Sequence, residues 1–383
     1  MTASLLITLF SSLLSASPTE IDLVVQHATP LLSAPIVTVM DKKQVPPSGD
    51  KHDYYALAPY HWPNPNSPDG KPAIFRDGQV NPAANSNEYD RTSYFAMGNT
   101  ITSLAVAYQL TGDEKYAARL AEWMRAWFIT PETRMNPNLS FAQCLPGESK
   151  GLAIGLIRGN TIIEVVQAER IISRSSHWSA ENHQSFVTWI NQLLDWLKRS
   201  ELGIAESKAA NNHGTWYAAQ VAVFALAVGN ESLARQQVEK VRDIRIKRQI
   251  APGGRQPLEM LRTKSWDYSV MNLEGLVVVA EVGKEVNIDL WNYETADHRS
   301  IRAAFLYLLP FATGEKTWKE EQIQEFQGER LLPSMDRAQI AWPNSREAIS
   351  QSASKIRSGD ASLVIRRQLF NVPWKQQAQV ALP

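Results

Sequence analysis

Two polar clusters in the sequence combine side chains that can carry out acid–base chemistry on an acidic sugar. The first is Asn211, Asn212 and His213, directly before an apolar run, and the second contains Arg262 and Tyr268. These groups suit the β-elimination of a 4-linked uronate, in which the C5 proton α to the carboxylate is removed and O4 departs. An Arg with an Asn neutralises the carboxylate, and a His or Tyr moves the protons.

The spacing of these residues restricts how they can meet. On a helix, Asn212 and Trp216 share one face, and His213 lies on the neighbouring face. Arg262 and Tyr268 are six residues apart. That spacing puts them about 240° apart around a regular helix, so they converge only if a helix begins between them or the segment is irregular.

Structural roles for the same residues remain open at this stage. A lone His in an apolar stretch is more often a hydrogen-bonded core residue, with an Asn capping its helix. An Arg on a helix is more often a member of an ion pair. Convergence of the clusters in space therefore decides between these interpretations.

Further side chains are candidates for substrate contacts, because they carry amide, guanidinium or flat aromatic groups near these clusters or in polar loops. They are Asn211, Trp216, Arg255, Tyr60, His61, Trp62, Asn136, Asn138 and Gln143. The aromatic segment 60–62 would suit a lid, and the asparagines at 136 and 138 would equally close Asx-turns.

Composition excludes several classes of partner. The 383 residues include 39 Lys plus Arg and 39 Asp plus Glu, for a formal net charge of zero. Such a chain has no global attraction to nucleic acid or to an anionic membrane, so an acidic polysaccharide would need a local basic cleft. The single cysteine, Cys144, and scattered histidines predict no metal site and no cofactor. We expect a monomer.

The N-terminal segment predicts export. Residues 1–17 are apolar, rich in Leu and Ser, and too short to span a bilayer. They resemble a signal peptide, although an N-terminal amphipathic helix is the alternative. We therefore expect a secreted or periplasmic protein whose residues 18–383 form a single catalytic domain.

Helical periodicity dominates after an irregular region. Residues 53–87 are too rich in Pro, Asn, Asp and Gly for a helix. Beyond them, apolar spacing and capping residues predict helices at 95–110, after Asp113, and at 155–174, 179–200, 208–228, 231–247, 258–282, 297–313 and 317–328. Paired helices with short connections predict an all-α fold, an α/α toroid built as an incomplete barrel of antiparallel hairpins, with a long irregular N-terminal loop region.

Several longer blocks resemble a known family. DYYALAPYHWPNP, PDGKPAIFRDGQVNP, MNPNLSFAQCLPG, NNHGTWY and GGRQPLEMLRTKSWDYSVMNL occur in this order between residues 53 and 309. They resemble the alginate lyase family, and look closer to polysaccharide lyase family 38 than to family 5. The resemblance implies an α/α toroid with an open cleft and metal-free β-elimination of polyuronates.

The same resemblance implies roles for four residues. Tyr268 would be the acid, and also the base when proton and leaving group lie on one face of the sugar. His213 would be the base in the opposite case, and Asn212 and Arg262 would neutralise the carboxylate. Two departures concern the substrate. Family 5 has a longer gap between Arg and Tyr, and the run Leu156-Ile157-Arg158 stands where many relatives have an acidic residue.

Two other functions remain alternatives on sequence alone. A glycoside hydrolase on a similar toroid would need two carboxylates across the cleft, for which Glu148, Glu259 and Asp267 are available. A non-catalytic protein that binds acidic polysaccharides would keep the cleft without turnover. The sequence also leaves open which uronate is cleaved.

Overall fold

The computed structural model describes residues 16–356, 359–372 and 374, and most of this part of the chain is helical. The predicted all-α toroid is confirmed. The helices are α1 Pro18–Ala28, α2 Arg91–Thr111, α3 Glu114–Phe128, α4 Gly159–Ile172, α5 Ala180–Arg199, α6 Glu201–Glu206, α7 Asn212–Ala227, α8 Glu231–Lys240, α9 Ile246–Gln249, α10 Pro257–Met260, α11 Ser265–Glu285, α12 Ile301–Ala312, α13 Leu332–Ala341, α14 Arg346–Ser354 and α15 Ala361–Leu369.

The Pro-rich region before α2 is irregular, as predicted, apart from short turns and strands. Strand β1, Tyr55–Leu57, pairs in parallel with β4, Phe141–Cys144. Strand β2, His61–Trp62, pairs antiparallel with β3, Ile74–Phe75. The first pairing joins the loop region to the segment before α4, and the second orders the aromatic segment within the loop region.

Helices α7 and α11 lie at the centre of the fold. Every residue of α7 from Gly214 to Leu226 is buried, which explains why its sequence is apolar on all sides. Gly275 of α11 allows the two helices to approach closely, because a Cβ there would lie 3.0 Å from the Thr215 side chain. Residues near the N-terminal ends of these two helices form the site described below.

Two helix predictions differ most from the structure. The segment predicted as one helix at 258–282 splits into α10 and α11, since the chain turns between Met260 and Ser265. The helix predicted at 317–328 is wrong. Residues 321–323 instead run extended beside 263–265, where Ser265 N donates to Glu321 O at 3.1 Å and Ile323 N to Thr263 O at 2.9 Å.

The C-terminal helices, absent from the predictions, connect the two ends of the fold. Arg367 of α15 bonds to Glu20 of α1 at 2.8 Å and to Asp336 of α13 at 2.6 Å. The predicted signal peptide lies outside the described residues except for its last two, and Ser17 caps α1. Within the described ranges, no helix has the length and apolarity needed to cross a membrane.

Candidate active site

The first polar cluster lies at the N-terminus of α7. Asn211 is the N-cap, and its side chain accepts from His213 N at 3.3 Å. Gln249 holds the preceding turn, because its Nε2 donates to the carbonyls of Ala210 and Asn211 at 3.0 and 2.9 Å. Asn211 thus has the structural capping role that the sequence left open.

His213 is paired with a carboxylate that the sequence analysis missed. Its Nδ1 lies 2.6 Å from Oε1 of Glu206, the last residue of α6. The Glu206 carboxylate is almost fully buried, whereas the imidazole keeps some exposure. With the Nδ1 proton donated to Glu206, Nε2 carries a lone pair and can accept a proton.

Asn212 forms a buried unit with Glu259 of α10. Its backbone N and its Nδ2 donate to the two carboxylate oxygens of Glu259, each at 2.6 Å. Both residues are 1 % exposed. Burial raises the pKa of Glu259 above its ordinary value, against the lowering effects of Asn212, Arg262 and His213. Glu259 therefore links the two polar clusters electrostatically.

Arg262 is held by a carboxylate of the N-terminal loop. Its Nε and Nη2 donate to the two oxygens of Asp77 at 2.9 and 2.6 Å, and Thr263 N donates to the same carboxylate at 3.1 Å. Burial alone would raise the pKa of Asp77, but these donors and the charge of Arg262 hold it below its usual value. Within the described part of the chain, Arg262 makes no hydrogen bond through Nη1, so this nitrogen is left for a substrate.

Tyr268 and Arg262 converge because α11 begins between them, at Ser265. The guanidinium carbon of Arg262 lies 4.1 Å from the centre of the Tyr268 ring. The Tyr268 hydroxyl donates to the hydroxyl of Tyr60 at 3.0 Å. Burial, followed by the neighbouring Tyr60, raises the pKa of Tyr268 well above its usual value. The site therefore favours the protonated phenol, which is the form that a proton donor needs.

The loop that carries Tyr60 covers this cluster. His61 lies across from Phe75 in the β2–β3 pair, with ring centres 5.2 Å apart, and burial lowers its pKa. Trp62 donates from Nε1 to the Gln79 carbonyl at 3.2 Å. Of the predicted aromatic segment, Tyr60 is the residue that hydrogen-bonds to the central cluster.

Two other predicted contacts lie apart from the cluster. Trp216 is 4 % exposed and donates to the Met271 carbonyl at 3.0 Å, so it packs between α7 and α11. Arg255 is exposed and pairs with Glu320 at 3.1 Å. These are the core and ion-pair arrangements that the sequence left as alternatives.

The predicted polar residues before α4 hold the loop region together. Asn136 and Asn138 both donate to Oδ1 of Asp53, at 2.9 and 2.8 Å. Asn138 also closes an Asx-turn by accepting from Ser140 N at 3.0 Å. Gln143 is buried in β4. The structure thus places this group beside β1 and β4 and bonds the two asparagines within the loop region.

The three carboxylates available to a hydrolase have other partners or lie exposed on a loop. Glu259 is bound to Asn212, Asp267 pairs with Arg330 at 2.9 Å, and Glu148 is exposed on a loop. Among the residues that the structure describes, no three His, Cys, Asp or Glu side chains are grouped so as to hold a metal ion.

Comparison with known proteins identifies the family. The model of the family "Alginate lyase" matches residues 38–318. The chain is 31 % identical to an alginate lyase from Bacteroides ovatus, with 98 % of each chain covered and a TM-score of 0.86. Alginate lyase A1-III from Sphingomonas species A1 is 16 % identical over 87 % of this chain and 91 % of its own, with a TM-score of 0.53, and so shares the fold. No curated protein matches the sequence.

The chain belongs to the alginate lyase family. It is a polysaccharide lyase that cleaves a polyuronate by β-elimination, as the sequence predicted. The closer placement in polysaccharide lyase family 38 stays a prediction.

Proposed function

We propose that this lyase cleaves alginate, with its polymannuronate blocks as the first candidate substrate. The observation that carries the proposal is the convergence of Arg262 and Tyr268 beside the Asn212–Glu259 unit, under the Tyr60 loop. The similarity to an alginate lyase over nearly the whole chain supports the same substrate. Glucuronan is the second candidate, because these groups act at C4, C5 and the carboxylate, whereas glucuronate and mannuronate differ at C2.

The first part of the mechanism is neutralisation of the substrate carboxylate. An ionised carboxylate makes the C5 proton very weakly acidic, so a cation must offset the charge that develops on removal of the proton. Arg262 meets the carboxylate through its free Nη1, oriented by Asp77. Asn212 is predicted to assist. Its Nδ2 gives one N–H to Glu259, and its second N–H is the donor left for the substrate carboxylate.

The second part is proton transfer. His213 accepts the C5 proton at Nε2 when the proton and O4 lie on opposite faces of the sugar, with Glu206 fixing the imidazole. The C5–H electrons form the C4=C5 double bond as the C4–O4 bond breaks. Tyr268 donates its proton to the departing O4. Mannuronate and glucuronate carry H5 and O4 on one face of the ring, so for both candidate substrates Tyr268 serves both steps. Its phenol first loses its proton to water, the phenolate takes the C5 proton, and that proton passes to O4, with the charge of Arg262 beside the ring to stabilise the phenolate.

The location and partner follow as proposals. An acidic polysaccharide outside the cytoplasm is the expected partner, and the signal peptide predicted at residues 1–17 would deliver a secreted or periplasmic enzyme to it. We expect the enzyme to act as a monomer without a cofactor.

A panel of polymers tests the proposed substrate. Purified enzyme is incubated with polymannuronate, polyguluronate and glucuronan, in parallel with and without a chelator, and the ultraviolet absorbance of the unsaturated product is followed. We expect the fastest rise on polymannuronate and no effect of the chelator. A faster rise on glucuronan would transfer the assignment to the second candidate, and reducing ends without absorbance would contradict elimination.

A further inference from the structure

Two arginines stack against one exposed aromatic ring at the start of α2 and α4. The guanidinium carbons of Arg91 and Arg158 lie 5.1 and 4.8 Å from the centre of the Phe95 ring. Arg91 is the first residue of α2, and Arg158 directly precedes α4, which packs along α2. Phe95 is 38 % exposed. The arrangement thus presents two cations and an apolar ring face at the protein surface.

Neither arginine has a carboxylate partner within the part of the chain that the structure describes. The Arg158 guanidinium makes no hydrogen bond there, and its Nε is buried without a partner. Arg91 donates only to the amide oxygen of Asn85. Asp90, the adjacent carboxylate, pairs with Lys42 at 2.9 Å instead. The two cations lie close together, because both contact the Phe95 ring, and burial followed by the charge of Arg158 lowers the pKa of Arg91 below its usual value.

This pair borders the active site but lies apart from it. Tyr60, which bonds to the catalytic phenol, lies within electrostatic range of Arg91. On the Arg158 side, the Leu156 carbonyl accepts from Gln220 Nε2 at 2.9 Å. Gln220 follows Asn212 by eight residues on α7, a distance of about 12 Å along the helix. The segment that carries Arg158 therefore contacts α7 about two turns beyond Asn212.

We propose that Arg91 and Arg158 form a subsite that binds the carboxylate of a uronate residue away from the cleaved bond, with Phe95 against its ring. Guanidinium groups with free N–H donors match a carboxylate in charge and geometry. Because no carboxylate of the described chain pairs with these arginines, a substrate carboxylate would supply the negative charge. The proposal rests on the proposed function, because a uronate polymer presents further carboxylates along the chain.

Steady-state kinetics on a long uronate polymer tests the subsite. Arg158→Gln and Arg91→Gln each remove one charge from the subsite, whereas Arg158→Lys keeps the charge. The control is Arg199→Gln, which removes a charge from a side chain on α5 that is 80 % exposed. We expect each subsite Gln variant to raise KM about tenfold with kcat unchanged. The Lys variant should recover part of the loss, and Arg199→Gln should match the wild type. An unchanged KM in both subsite Gln variants, or an equal rise in Arg199→Gln, would overturn the proposal.

Binding and unfolding measurements separate the subsite from the reaction and from folding. In a Tyr268→Phe background, calorimetric titration with polymer should show about tenfold weaker binding when Arg158→Gln is added, with a smaller dependence on salt. The binding affinity can be measured even if the wild type forms no unsaturated product. The lack of product would contradict the proposed function but not the subsite. The thermal midpoint should not fall, since each variant relieves repulsion between like charges; a lower midpoint with unchanged binding would overturn the subsite.

Discussion

The ion pair between Asp77 and Arg262 gives the sharpest test of how the loop region controls the site. Its two hydrogen bonds are 2.9 and 2.6 Å long, and the side chains are 23 % exposed for Arg262 and 16 % for Asp77. Asp77→Asn keeps the shape of the side chain but removes its negative charge and replaces one carboxylate oxygen, an acceptor, with an NH2 donor. We expect Arg262 to lose its fixed orientation toward the substrate carboxylate.

The magnitude follows from the partial exposure of this pair. Breaking a buried ion pair costs roughly 3–5 kcal/mol, and solvent screening reduces this for a pair that water reaches. We therefore expect a loss of about 2 kcal/mol, which corresponds to an approximately thirtyfold lower kcat/KM if it is expressed in the transition state.

A double-mutant cycle of Asp77→Asn with Arg262→Ala measures this coupling. Its matched control is Asp297→Asn, which removes an exposed carboxylate bound to Arg299. A coupling energy of about 2 kcal/mol in kcat/KM is expected. Losses that simply add, or an Asp77→Asn enzyme within threefold of the wild type, would refute the orienting role.

The same carboxylate gives a signed dependence of stability on pH. The folded-state pKa of Asp77 lies below its ordinary value of 3.8. Its contribution to stability is therefore present above that value and is lost as pH falls through the lower, folded-state pKa. Asp77→Asn should remove this component, so the stability difference between wild type and variant should shrink in strong acid. A difference that stays constant through this range would contradict the assignment.

Two further substitutions test the carboxylates behind the catalytic groups. Glu206→Gln should lower kcat about 10²-fold on a substrate that uses His213 as base. The control is Glu294→Gln, which changes an exposed His–Glu pair and should leave kcat unchanged. Equal rates for the two variants would contradict the assignment of His213 as the base. Glu259→Gln should lower the free energy of unfolding by about 1–3 kcal/mol, since buried donors of Asn212 then face an amide. Urea denaturation measures this, and a change below about 0.5 kcal/mol would contradict it.

The sequence predicted the fold class and the main polar clusters, because these depend on local patterns. Helical periodicity is strong from residue 91 onward, and the region of residues 53–87 has too much Pro for a helix. The six-residue gap between Arg262 and Tyr268 also predicted that the two side chains converge only if a helix begins between them or the segment is irregular. In the structure, α11 begins between them at Ser265.

The acidic partners could not be predicted in the same way. Asp77 meets Arg262 across 185 residues of sequence, and Glu259 meets Asn212 across 47. In the sequence, carboxylates at such separations cannot be distinguished from ordinary surface residues, because only the fold places them in contact with Arg262 and Asn212. Glu206 lies only seven residues before His213, but the sequence does not predict the short helix α6 that carries it, and the predicted helix at 208–228 covers most of the turn after α6.

The wrong helix at 317–328 has a similar cause. Its apolar spacing is compatible with a helix, but backbone hydrogen bonds to residues 263 and 265 hold residues 321–323 extended. Trp318 also donates to Ser265 Oγ at 2.8 Å. Tertiary contacts override local propensity here, and they do so beside the turn that brings Arg262 to Tyr268.

The central claim is that the phenol of Tyr268 transfers a proton during elimination. The most direct measurement compares the initial rate of unsaturated-uronate formation by Tyr268→Phe and wild type on the polymer that the wild type cleaves fastest. The Phe variant should bind polymer with unchanged affinity and lose about 10³-fold or more in kcat, because it lacks the one hydroxyl that donates to O4. A Phe variant within tenfold of the wild type would contradict this account of the site.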